Sequence, residues 1–142
     1  MFIGKFSHTL DPKGRIILPA KYREELGGHV VLAPGIDGCI FCYPLPEWEK
    51  FATQLMSLPG TASNRQVQRY FMSNAYDIEP DPQGRILLPA DLKDKAGLER
   101  EIISVGMRNR IEIWSPERYN ASQSTIGLSE AIDEIGKAGI TF

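Results

Sequence analysis

Two arginines, each four positions after an aspartate, are the residues best suited to chemistry. Residues 11–20 read Asp-Pro-Lys-Gly-Arg-Ile-Ile-Leu-Pro-Ala, and residues 81–90 read Asp-Pro-Gln-Gly-Arg-Ile-Leu-Leu-Pro-Ala, eight of ten positions being identical at an offset of 70. A guanidinium is a planar fork of donors that matches phosphate oxygens or a guanine edge, which a lysine ammonium does not. Asp11 and Asp81 can hold Arg15 and Arg85 in a fixed orientation. On that ground alone each motif is a salt-bridged turn; the basic neighbours of the first copy favour contact with a polyanion.

Charge separates the two copies along the chain. Residues 1–23 carry Lys5, Lys13, Arg15, Lys21 and Arg23 against Asp11, a net +4. Residues 71–93 carry Arg85 and Lys93 against Asp77, Glu79, Asp81 and Asp91, a net −2. Phosphate contacts dominate affinity for nucleic acid. The expectation is that the first copy faces DNA, and that the second completes the core or a subunit contact; the competing reading is ordinary surface variation. The whole-chain charge of −2 does not advertise a nucleic-acid partner.

Other chemistries find little support. Cys39 and Cys42 are spaced as a redox or metal pair, but on a strand positions i and i+3 point to opposite faces. There is no second Cys pair, and neither His8 nor His29 stands at a zinc-ligand spacing. They are expected to be small apolar core residues, with no metal or cofactor. Asp77 and Glu79 are paired carboxylates, yet no nucleophile motif, His cluster or phosphate-cradling glycine loop accompanies them. The chain is therefore not expected to be an enzyme or to take a small-molecule substrate.

The elements that must position the arginines follow from local patterns. Asp-Pro-x-Gly is a turn signature, with Pro presetting φ and Gly supplying the open conformation. Strands are expected over 3–10 and 15–18, and over 76–79 and 85–88. Pro19 and Pro89 should end strands and start short helices that Gly27 and Gly97 close. A second strand pair follows in each copy, over 30–33 with 40–43 and over 102–105 with 111–114. Pro46 should open a helix whose Trp48, Phe51, Ala52, Leu55 and Leu58 share a face. Ser63 and Gln66 suggest a capping box for a second helix with Val67, Tyr70 and Phe71; Arg65 and Arg69 fall on one face of it, read first as a solvated face and otherwise as one serving subunit contacts or DNA. Beyond Pro116, Asn120, Ser122, Ser124, Thr125 and Gly127 make a weak helix, and a terminal helix returns with Leu128, Ala131, Ile132 and Ile135.

The chain thus reads as two units, 1–75 and 76–142. Four short strands cannot cover both faces of their own sheet. Two units together can close one intertwined β-barrel with helices outside it. The fold class expected is α+β, mainly β. No run is long and apolar enough to span a membrane, and the N-terminus lacks a signal-peptide core, which predicts a cytoplasmic protein.

The chain resembles the MraZ family of bacterial transcriptional regulators, which carry two SpoVT–AbrB-like repeats. The matching elements are the start Met-Phe-Ile-Gly, Leu10 to Arg15, Pro19 to Arg23, Tyr43 to Trp48, Arg65 to Arg69, Gly84-Arg85, Ala96 to Leu98 and Ile111 to Trp114. The likeness covers nearly the whole chain. It implies a swapped-hairpin AbrB-like barrel, a ring-shaped homo-oligomer (octamer or dodecamer), and binding to double-stranded promoter repeats in the nucleoid. It implies repression of the division and cell-wall gene cluster, including the regulator's own gene. Carried over by position, the contacting residues are Arg15 as main reader, Lys13 and Gly14 beside it, and Asp11 as its orienter, with Lys5, Lys21 and Arg23 around them. Arg85 is expected to contribute less, because Gln83 stands where the first copy has Lys13. The other reading is a non-enzymatic scaffold that uses the Trp48 stripe as a protein-binding surface.

Overall fold

The computed structural model describes residues Met1–Phe142. The elements run β1 (Lys5–Thr9), β2 (Arg15–Ile17), α1 (Ala20–Leu26), β3 (Val30–Pro34), β4 (Ile40–Pro44), α2 (Leu45–Met56), α3 (Ala62–Ser73), β5 (Tyr76–Ile78), β6 (Arg85–Leu87), α4 (Ala90–Ala96), β7 (Glu101–Gly106), β8 (Ile111–Trp114), α5 (Pro116–Gln123) and α6 (Leu128–Lys137). The architecture is α+β with antiparallel strand pairing throughout. No helix is long and apolar enough to cross a membrane.

Six strands form one sheet in the order β1-β7-β8-β4-β3-β5. The β3–β4 and β7–β8 hairpins join at its centre. At the edges the halves exchange strands: β1 pairs with β7, and β5 with β3. β2 and β6 pair only with each other, Ile16 opposite Ile86. The two halves therefore interlace about a pseudo-two-fold axis between β4 and β8.

A closed barrel does not form, which corrects the sequence expectation. The sheet is open, with β1 and β5 as its edges, and β2–β6 is a separate ribbon. Each ribbon strand is only three residues long and runs into Leu18-Pro19 or Leu88-Pro89. Proline has no N–H to extend a ladder, so the ribbon is too short to bridge the two sheet edges.

The ribbon lies with α1 and α4 over one face of the sheet. Ile16, Leu18, Tyr22, Leu26, Ile86, Leu88, Leu92 and Ala96 bury there against Val30, Leu32, Ile40, Cys42, Ile102, Ile111 and Ile113. The other face carries Val31, Ala33, Phe41, Tyr43, Ile103 and Trp114, covered by Trp48 and Leu55 of α2 and Phe71 of α3. With both faces covered, β3 and β4 are buried along their whole length. Phe51 and Ala52 pack against this second core, while Leu58 stays exposed past the end of α2. The stripe that a scaffold would offer to a partner is thus mostly spent on the chain's own sheet.

Cys42 belongs to the first core and Cys39 to the second, on opposite faces as strand periodicity predicts. Burial pushes both thiols up to about 12. At pH 8 the thiolate fraction is then about 10⁻⁴. Neither cysteine is expected to react with a thiol reagent in the folded chain, and both should react once it is unfolded. Labelling followed by mass spectrometry checks this; rapid labelling of the native protein would contradict the burial described.

Gly27 and Gly97 close α1 and α4 with φ of 73° and 63°. The cap of α3 differs from the expected Ser63–Gln66 box. Thr61 is the N-cap, its hydroxyl accepting from the Asn64 amide at 3.2 Å. The shift follows from Asn64, whose side chain also donates to Pro59 O and fixes the entry two residues earlier. α5 does form, opened by the Ser115 hydroxyl accepting from Arg118 N, but buries none of its residues.

Candidate nucleic-acid interface

Each turn is built by one carboxylate. Asp11 Oδ1 accepts from the backbone N–H of Lys13 and of Arg15, both at 2.9 Å, and Oδ2 accepts from Arg15 Nε at 2.6 Å. Asp81 repeats the pattern with Gln83 N at 3.0 Å, Arg85 N at 2.8 Å and Arg85 Nε at 2.5 Å. Gly14 and Gly84 both sit at φ +80°, which favours glycine. The backbone N–H of Arg15, then its side chain and the amide of Lys13, hold the Asp11 carboxyl below its ordinary range. At Asp81 partial desolvation pulls upward, but the bonds from Arg85 and Gln83 outweigh it, and the net shift is again downward. Both carboxylates are ionised at neutral pH and lock their arginines.

That lock uses only Nε–H. The remaining four guanidinium hydrogens of each arginine, on Nη1 and Nη2, find no acceptor in the chain, and these atoms are not buried. The Arg15 side chain is 24% exposed and that of Arg85 30%. Ile16 and Ile86 point into the core, so Arg15, Ile17, Arg85 and Leu87 share the opposite, outward face of the ribbon. Arg15 stands opposite Leu87 and Arg85 opposite Ile17. Strand geometry puts diagonal neighbours of this kind about 7–8 Å apart. The two motifs, 70 residues apart in sequence, thus form one surface.

The basic residues of 1–23 do not form one patch. Lys13 lies on the first turn beside Arg15. Lys5 sits about 20 Å up β1 by strand rise, its ammonium over the Tyr119 ring at 5.3 Å. The antiparallel ribbon sends α1 toward the second turn and α4 toward the first. Arg23 therefore packs over Gly84, where an added Cβ would fall 2.9 Å from its Nη1. Lys93 packs over Gly14, where a Cβ would fall 2.5 Å from its Nζ. Lys21, at the start of α1, is exposed, and two positions along a helix it does not share the face of Arg23. Counting charge along the chain had assigned Lys93 to the acidic second copy; the one signal that could have found it is its equivalence to Arg23 at the same offset of 70.

A family model described as "MraZ protein, putative antitoxin-like" matches the chain twice, over residues 1–69 and 71–135. The chain belongs to the MraZ family. A relative named transcriptional regulator MraZ in Lachnoclostridium phytofermentans is 49% identical over the full length of both chains. One of the same name in Clostridium beijerinckii is 44% identical over 99% of this chain and 100% of its own. A third, in Pelotomaculum thermopropionicum, is 48% identical over 84% of this chain and 83% of its own. The boundary between the two MraZ matches falls near the end of α3, so each match carries one Asp-x-x-x-Arg turn.

Proposed function

We propose that this chain is a transcriptional regulator that binds double-stranded DNA through the outward face of the β2–β6 ribbon. Arg15 is the main reader, oriented by Asp11, with Lys13 and Gly14 beside it, and Arg85 reads from the second turn. The observation that carries this is the pair of carboxylate-locked arginines on one face, each with its Nη edge free. A locked fork meets a guanine edge or a phosphate in two parallel hydrogen bonds with little entropy left to lose. B-DNA's major groove, about 12 Å wide, admits a two-stranded ribbon. The names of the relatives support the regulatory role. The family resemblance supports the finer reading: repression of the division and cell-wall gene cluster by a ring oligomer on clustered promoter repeats, with the interlaced halves as swapped AbrB-like hairpins. Linked sites on such a ring raise avidity by roughly 10²–10⁴-fold, which offsets the weak overall charge.

The test is a mobility-shift titration of the full chain on the duplex lying just upstream of its own coding region, beside an unrelated duplex of equal length. Preference for the upstream duplex is expected, with affinity that falls steeply with salt as counterions are released. Absence of binding at low salt, or a flat salt response, would overturn the reading.

A further inference from the structure

Each turn largely neutralises itself. Asp11 cancels the charge of Arg15 and Asp81 that of Arg85. The attraction a polyanion needs must come from cations that no carboxylate holds. Lys13 supplies one at the first turn; Gln83 supplies none at the second. The fold brings one more to each, from the opposite half. Lys93 lies over the first turn and Arg23 over the second, each close against the glycine beside the reading arginine. Neither makes an ion pair or a side-chain hydrogen bond, in contrast to Arg15, Arg85, Arg110 and Arg118. The two positions are repeat equivalents and both are cationic, whereas the nearby equivalents Lys21 and Asp91 are opposite in charge.

We infer that Lys93 completes the first Asp-x-x-x-Arg turn and Arg23 the second, each by anchoring a backbone phosphate next to the arginine of the other half. The inference rests on the DNA-binding reading above. Each anion site is then composite: Lys13 and Arg15 of the first repeat are joined by Lys93 of the second, and Arg85 of the second by Arg23 of the first. Glycine at 14 and 84 lets the cation lie low against the turn, near the arginine it assists. The competing role is packing alone, in which the aliphatic stems cover the glycines and the charged heads stay in water.

The experiment titrates the full chain against the upstream duplex at several salt concentrations. Lys93→Gln and Arg23→Gln are each expected to weaken binding about tenfold and to reduce the salt slope by about 0.9, the loss of one phosphate contact. Lys93→Arg and Arg23→Lys should bind as wild type within about twofold. Lys93→Met and Arg23→Met keep a stem over the glycine and should behave as the glutamine variants do. Phosphate-ethylation interference should show Lys93→Gln releasing phosphates beside those released by Lys13→Gln, and Arg23→Gln those beside the Arg85→Ala set. Thermal midpoints report loss of fold separately. Wild-type slopes in the neutral variants, or weaker binding with the slope unchanged, overturn the composite sites while leaving the DNA reading intact. Wild-type protein that fails to bind, or Arg15→Ala protein that binds as wild type, overturns the DNA reading itself.

Discussion

Arg15→Ala should weaken binding to the upstream duplex by at least about 100-fold, with no change in the mass of the protein and a thermal midpoint within about 4 °C of wild type. A bidentate contact to a base is worth about 1–3 kcal/mol of discrimination. Its loss also leaves Asp11 as an uncompensated negative charge beside the outward face of the ribbon. The fold should hold, because the side chain is partly exposed and contributes nothing to either core, and a surface ion pair adds about 0–1 kcal/mol. Two companion variants separate geometry from charge. Arg15→Lys keeps the charge but not the fork, and should bind nearly as poorly as alanine. Asp11→Asn makes the protein more positive, so simple attraction predicts tighter binding. The locked-arginine geometry predicts weaker binding, since Oδ1 and Oδ2 of Asp11 hold both the turn and the guanidinium. Arg85→Ala is expected to cost about tenfold, less than Arg15→Ala because its turn lacks a lysine. Mobility shifts give the affinities and light scattering the mass; Arg15→Ala binding at wild-type strength would refute the assignment.

The second large effect is on stability and comes from the residue next to Arg15. Ile16 and Ile86 face each other across the ribbon, each 1% exposed, and pin it to the sheet. Ile16→Ala should cost about 3 kcal/mol, the transfer of the lost methyl groups plus the cavity they leave. The thermal midpoint should then fall by roughly 10 °C. Ile17→Ala, one position on, should cost less than about 0.5 kcal/mol, because Ile17 is 50% exposed on the opposite face. Denaturant melts of the two variants check the contrast. Equal costs would mean that the ribbon faces are not the ones described.

Much of this layout was legible in the residues. The offset-70 repeat located both turns, and glycine and proline positions marked the limits of α1 and α4. The Val-, Ile- and aromatic-rich runs over 30–33 and 40–43 marked strands, and strand geometry made the two cysteines diverge. What sequence could not give was which strand pairs with which. The strands expected on either side of the first turn do not pair with each other: β1 is paired with β7, and β2 with β6. Periodicity records which face of a strand is buried, not against whom. The same gap explains the misread charge: Arg23 is eight residues from Arg15 in sequence but sits at the other turn, and Lys93 lies among acids in sequence but over Gly14 in space. The closed barrel was the natural remedy for exposed edges, and only the three-residue length of the ribbon strands rules it out. Thr61 outcompeted Ser63 as a cap because Asn64 bonds backward on two atoms, a local choice that single-residue preferences do not resolve.

The interlaced pairing of the two halves has a consequence for how such a protein can change. Two separate subunits that trade strands in this way would come apart on dilution, and any mutation would enter both at once. Here one peptide chain keeps the trade at fixed stoichiometry, so the partnership is indifferent to concentration and each hand can drift alone. Lysine against glutamine at 13 and 83, and lysine against aspartate at 21 and 91, are such unmatched changes on a scaffold whose buried isoleucine pair stays symmetric.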